Sequence, residues 1–152
     1  MDVKQAVRIE AVQAHHRAAW APLWRAYQAF YEITIPDDVS DVTWARMLDP
    51  AEAMFGALAW DGEVAVGFVH FLAHRSTWSA ADVCYLQDLY VAPDGRGGGV
   101  GRTLIDHVYA AADANGWGEV YWLTHETNTT ARRLYDTLAE RTGFLHYMRP
   151  PK

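Results

Sequence analysis

The sequence predicts one α/β domain, a mixed sheet with helices on both faces. Three observations predict it. Asp61-Gly62 stands between two apolar runs and signals a β-hairpin. The β-type run Tyr85–Val91 passes through Ala92-Pro93-Asp94-Gly95 into an amphipathic helical pattern with Leu104, Ile105, Val108, Tyr109 and Ala112 on one face. The whole order reads β-α-α-β-β-β-α-β-α-β, a meander followed by one crossover.

Taken in order, Val7–Val12 reads as a short first strand. A first helix is expected over His15–Ile33, where Trp20, Leu23, Trp24, Tyr27, Phe30 and Tyr31 recur at three- and four-residue steps. Pro22 is tolerable near its start. Pro36-Asp37-Asp38 breaks the pattern, and a second helix is expected over Val42–Leu48 with Ser40 or Asp41 as its cap. Ala53–Trp60 and Glu63–Leu72 are the hairpin strands, and a loop over Ala73–Asp82 leads to a strand at Val83–Val91. The third helix ends near Asn115 with Gly116 behind it. Glu119–Thr124 is apolar enough for the sheet centre. A last helix runs from Asn128 or Thr129 to about Arg141, and Phe144–Arg149 forms a final strand. With no repeat or linker, residues 1–152 read as a single domain.

Composition narrows the function. The net charge of −6 disfavours nucleic acid and suits a cationic substrate. One cysteine, Cys84, leaves no disulfide framework and no zinc spacing, which fits a reducing, cytoplasmic setting. The opening MDVKQAVRIEAV lacks the apolar core of a signal peptide, and no run reaches the length of a membrane span. His125-Glu126 is not part of an HExxH pattern, because residue 129 is threonine, so no metal is expected.

The turn after Tyr85–Val91 holds five glycines within seven residues: Gly95, Gly97, Gly98, Gly99 and Gly101. Strand, glycine turn and helix N-terminus make an anion site, with unblocked backbone amides at the positive end of the helix dipole. A Walker loop is excluded, since Gly101 is followed by Arg102 and not by lysine. A GxGxxG fingerprint fails in both frames, at Val100 and at Arg102.

What remains, Arg96-x-x-Gly99-x-Gly101, resembles the coenzyme A loop of GNAT-type N-acetyltransferases. A second stretch, Asn128-x-x-Ala-x-x-Leu-Tyr135, resembles the same family's pattern in the helix after the fifth strand. The resemblance covers nearly the whole chain, and its specific motifs lie in the second half. It implies the GNAT acyl-CoA N-acyltransferase fold, with a central, mostly antiparallel mixed sheet. It implies acetyl-CoA as co-substrate, with Arg96, Gly97, Gly98, Gly99, Val100, Gly101 and Arg102 around the diphosphate. Leu89, Tyr90 and Val91 would lie beside the pantetheine arm, and Asn128 would contact that arm or a nearby water. Tyr135 would protonate the departing thiolate, a role open to a phenol roughly one to two pKa units weaker as an acid than the thiol. Read without the family, Tyr135 is a core aromatic beside Leu134 and Leu138.

The run YLQDLYV, preceded by RSTWS, resembles the subgroup of polyamine (diamine) acetyltransferases and yeast-type histone/polyamine acetyltransferases. Gln87-Asp88 stands where the diamine enzymes have an acidic pair, so Gln87 cannot serve as a base, whereas Asp88 can bind an ammonium group or hold a water. Asp88 is equally a carboxylate that satisfies nearby N–H groups. Gln87, Glu126 and Trp78 are candidate acceptor contacts, and Trp44 and Trp78 are expected beside the acceptor site as an aromatic wall. The expected reaction is direct acetyl transfer to a primary amine, such as a polyamine or amino acid. A protein lysine as acceptor, or a non-catalytic acyl-CoA-binding module, are the alternatives. A homodimer is expected at the C-terminal sheet edge.

Overall fold

The computed structural model describes residues 7–152; residues 1–6, the start of the stretch read above as lacking a leader, lie outside the described residues. The chain forms two compact units, Met1–Trp122 and Leu123–Lys152. The first holds a five-stranded sheet in the order β1 (Arg8–Ala11), β2 (Met54–Asp61), β3 (Val64–His74), β4 (Val83–Val91) and β5 (Val120–Tyr121). The first four pair antiparallel and β4 with β5 parallel, as the hairpin signal and the crossover require.

Helices α1 (Arg17–Phe30) and α2 (Asp37–Leu48) cover one face, and α3 (Val100–Asn115) covers the other. Strand alternation divides the residues between them. Phe68 and His70 of β3 meet Trp24 of α1. Phe71, one residue on, meets His107 of α3. The α1 face is aromatic: Trp20 is fully buried between Trp24 and Trp44, with ring centroids 5.8 and 4.8 Å away. Helix α3 contributes aliphatic side chains to its face, with Leu104, Ile105 and Val108 fully buried beside Phe71. Gly67 lets α3 approach, since a Cβ there would stand 2.7 Å from the Tyr90 carbonyl oxygen and 3.4 Å from Leu104.

Several expected boundaries move. A 3-10 turn at Ala14–His16 precedes α1, and Pro22 lies inside the helix. Helix α2 begins at Asp37 rather than Val42, with Pro36 as N-cap, because Asp37 and Asp38 suit the positive end of a first turn. Ser40 is instead buried in α2, accepting a 3.0 Å hydrogen bond from Trp24 Nε1. Trp44 packs in the core instead of walling a site. Strand β5 is two residues long and lies at the sheet edge, not its centre, because it pairs only with Cys84 and Tyr85 of β4.

The second unit holds α4 (Thr129–Leu138). The segment Phe144–Arg149 is not a strand: Phe144, Leu145, Tyr147 and Met148 are exposed, and no ladder partner is present among the described residues. Apolar, β-prone residues become strand only where another strand supplies hydrogen bonds.

Two outcomes follow from this packing. Gly67→Ala forces a methyl group against backbone that cannot swing away, at about 1–3 kcal/mol, and should lower the Tm by roughly 2–12 °C in a calorimetric scan. Cys84 is fully buried, and burial pushes its thiol up to about 12. A disulfide-exchange reagent at pH 8 should therefore find no thiol in the native protein and one per chain in guanidinium.

Candidate active site

Strand β4 organises the site. Its register with β3 runs from His70↔Asp88 directly to Phe71↔Leu86, so Gln87 is the extra residue of a β-bulge. The bulge resets the alternation. Tyr85 and Asp88, three apart, would point to opposite faces of a regular strand; here they oppose Leu72 and His70, which share the α1 face. Gln87 itself is exposed. Past Tyr85, β4 has no strand partner on the β5 side among the described residues. The Ala92 N–H donates to the Val66 carbonyl of β3 at 2.8 Å. By ladder alternation the groups of Tyr90 and Asp88 also face β3, and those of Leu89 and Val91 face the free edge.

The glycine turn follows. Gly97 and Gly99 adopt φ of 82° and 75°, and a Cβ at either would meet nothing within 4 Å. Both glycines are thus required by backbone conformation rather than by crowding. Gly99 caps α3, and the first helical amide with an intrahelical partner is that of Thr103, bonded to the Gly99 carbonyl at 3.0 Å. The amides of Val100, Gly101 and Arg102 precede it in the first turn and carry the positive end of the dipole. Gly98 lies exposed between the two positive-φ glycines. Arg96 donates from Nε to the Val91 carbonyl at 3.1 Å and so ties the turn to β4. Arg102 lies 3.9 Å from Asp106 on the helix surface.

Asp88 is the hub of a polar network. Tyr27 Oη donates to Asp88 Oδ1 at 2.7 Å, and His70 Nδ1 lies 3.0 Å from Asp88 Oδ2. Trp20 Nε1 donates to His70 Nε2 at 2.9 Å. An indole nitrogen only donates, so His70 Nε2 accepts and Nδ1 carries the proton that reaches Asp88. Burial first, then the Asp88 charge, raises the Tyr27 phenol far above its usual range, so it remains a donor. The Asp88 side chain keeps 14% exposure and stays reachable.

Around this carboxylate stand further phenols. Tyr31 packs on Tyr27 at 4.9 Å, and burial followed by the Asp88 charge raises it. Tyr85 is raised by burial, then by Asp88 and Tyr121, and its ring stacks on Tyr121 at 5.0 Å. A carboxylate ringed by aromatic faces suits an ammonium group.

The other expected residues are placed as follows. Trp78 lies in the loop after β3 and is 88% exposed. In the second unit, Asn128 is the N-cap of α4 and Tyr135 lies within the helix. Exposed Glu126 accepts at its backbone carbonyl from Arg132 at 2.6 Å. A cavity of about 200 Å³ opens elsewhere in the first unit, lined by Val12, Met47, Phe55, Phe71, His107 and Trp117. Among the described residues no His, Cys, Asp and Glu cluster could hold a metal, and no helix is long and apolar enough to cross a membrane.

Sequence reasoning missed Trp20, Tyr27 and His70. The available signal was a histidine on the inward face of an otherwise apolar strand, which requires polar partners. Counting back from the Asp61-Gly62 hairpin could not locate them, because two register shifts intervene, one at Ala59/Trp60 and one at His70/Phe71.

Comparison with known proteins agrees with this architecture. Residues 20–139 match the acetyltransferase (GNAT) family. The chain is 40% identical over 149 residues to the D-amino-acid N-acetyltransferase HPA3 of Saccharomyces cerevisiae, covering 97% of this chain and 92% of that one. It is 34% identical over 80 residues to the thialysine N-epsilon-acetyltransferase of Sus scrofa, covering 53% of this chain and 46% of that one. The structure of aminoglycoside N-acetyltransferase AAC(6')-Iy in complex with CoA superposes with a TM-score of 0.80 at 21% identity, covering 97% of this chain and 98% of that one. Fold, family match and a full-length relative agree: the chain is an enzyme that belongs to the GNAT acetyltransferase family.

Proposed function

We propose that this acetyltransferase moves an acetyl group from acetyl-CoA to the primary amine of a small cationic acceptor, an amino acid or polyamine, by direct attack. One observation carries the acceptor class: the reachable Asp88 carboxylate set among Tyr27, Tyr31 and Tyr85. The yeast relative's name, a D-amino-acid N-acetyltransferase, supports an amino acid; the thialysine enzymes support a side-chain amine. The family match runs through both compact units, which supports reading residues 1–152 as one domain.

The residues present fit the coenzyme. The open space over Gly97 and Gly99 and the first-turn amides of Val100, Gly101 and Arg102 suit a diphosphate. The outward groups of Leu89 and the N–H of Val91 suit the amides of a pantetheine arm, with Tyr90 between them and Asn128 as a further contact. When bound, acetyl-CoA supplies the acetyl group as a thioester. The Leu89 N–H would donate to the thioester carbonyl oxygen, where charge builds during attack. Asp88 would bind the acceptor's ammonium group and orient it. Held by Tyr27 at one oxygen and His70 at the other, Asp88 would act chiefly as a fixed charge for the ammonium group. The bound ammonium would first give one proton to water held by Gln87 or Glu126, the neutral amine would attack, and the second proton lost from nitrogen would follow the same route. Tyr135 Oη would give its proton to the thiolate, and Trp78 would border the acceptor entrance. The exposed Phe144, Leu145, Tyr147 and Met148 support a homodimer, and the buried single thiol supports a cytoplasmic setting.

A thiol-release assay with acetyl-CoA against polyamines, amino acids and lysine peptides tests the acceptor class directly. Small cationic amines should give the highest kcat/KM; turnover confined to peptides would overturn the assignment. Asp88→Asn should raise the amine KM by about ten- to a hundred-fold while leaving acetyl-CoA affinity within about two-fold. Tyr135→Phe should lower kcat by about a hundred-fold or more with acetyl-CoA affinity retained. Unchanged turnover would remove Tyr135 from the proton-donor role.

A further inference from the structure

The Trp20–His70–Asp88 chain is an odd thing to bury. Trp20 is fully buried and His70 nearly so, inside a cluster of Trp24, Trp44 and Phe68. An apolar cluster gains nothing from an imidazole unless both ring nitrogens are satisfied. Here both are, and the two partners demand opposite roles. Trp20 Nε1–H needs an acceptor and finds His70 Nε2 at 2.9 Å. The Asp88 carboxylate needs a donor and finds His70 Nδ1 at 3.0 Å. Only the neutral ring with its proton on Nδ1 meets both demands. The other neutral tautomer would set N–H against N–H at Trp20 and leave Asp88 facing a lone pair. A doubly protonated ring would satisfy Asp88 but still oppose the indole.

We propose that Trp20 and His70 are positioning residues for the acceptor amine: the indole N–H fixes the imidazole as its Nδ1–H tautomer, and that N–H holds Asp88 in place without neutralising it. The proposal rests on the reading of Asp88 as the acceptor-binding charge. A cationic histidine beside Asp88 would cancel the charge meant for the ammonium group. A hydrophobic residue would leave the carboxylate free to turn away. A neutral N–H donor orients it and leaves its charge available. Tyr27 does the same at the other oxygen, as a phenol that keeps its proton. The groups facing the ring are Trp20 and Trp24 of α1, Phe68 of β3 and Asp88 of β4; the nearby cation, Arg17, stacks over the Trp20 ring, with its Cζ 5.3 Å from the centroid. The charge facing His70 across its own hydrogen bond is therefore the Asp88 carboxylate.

Two measurements test this. Long-range 1H–15N correlation of the histidine rings reads the His70 tautomer in the full-length wild-type protein without any substrate. The expected pattern has Nδ1 protonated and Nε2 bare; a protonated Nε2 overturns the proposal. Kinetics supply the second. His70→Asn retains an N–H donor near the Nδ1 position, whereas His70→Leu retains none. His70→Leu should raise the amine KM at least ten-fold with kcat and the acetyl-CoA KM changed less than three-fold, and His70→Asn should recover most of that loss. Equal amine KM in the two variants overturns the positioning role. Should the leucine variant not fold, Trp20→Phe, which removes the indole N–H together with part of the buried ring, should raise the amine KM at least three-fold with the acetyl-CoA KM unchanged; an unchanged amine KM overturns the proposal. An Nδ1–H ring with an amine KM insensitive to Asp88→Asn overturns the acceptor reading and the proposal together. A protonated Nε2 with an Asp88-dependent KM overturns the proposal and leaves the acceptor reading standing.

Discussion

The site depends on how β4 pairs. On one side β4 is laddered to β3 along its whole length; on the other it meets β5 only at Cys84 and Tyr85. Backbone groups at a strand edge need partners, and those of Leu89 and Val91 face the side where β5 has ended. The Val91 carbonyl takes Arg96, which anchors the glycine turn. The rest of this edge offers hydrogen bonds to an extended, amide-bearing ligand. The bulge at Gln87 adds a second consequence within the same strand. It turns Asp88 onto the face that holds α1, so a single strand presents amides along its edge and a carboxylate on one face.

Burying that carboxylate's partners carries a cost that the network meets by completeness. A half-satisfied buried polar group costs about 1–3 kcal/mol, so an imidazole among tryptophans is tolerable only with both nitrogens bonded. The hydrogen bonds run from α1 through β3 to β4, three elements far apart in sequence. Packing alone would allow α1 to slide on the sheet; directional bonds from Trp20 and Tyr27 oppose that. The other face needs no such device, since Leu104, Ile105 and Val108 pack over β3 and β4 as hydrocarbon.

Much of this was legible in the sequence. The hairpin at Asp61-Gly62, strand Val83–Val91, and helix α3 with Gly116 after it follow from turn chemistry and periodicity, which are local signals. The glycine turn was legible for the same reason. Three features were not. The Tyr27–Asp88–His70–Trp20 network depends on register across two bulges, and a bulge leaves no local mark in YLQDLYV. The edge position of β5 depends on where its pairing stops, although its composition suits a sheet centre. The segment Phe144–Arg149 has strand-forming residues, but strand formation also needs a neighbour, which no local pattern supplies.

The central claim is that the free edge of β4 and the glycine turn together hold the coenzyme. Backbone amide shifts recorded while coenzyme A is titrated into the 15N-labelled protein test it most directly. The account predicts the largest changes at Leu89, Val91 and the amides of Gly97 through Arg102. Changes centred instead on the cavity beside His107 and Trp117, with the glycine turn unmoved, would contradict it.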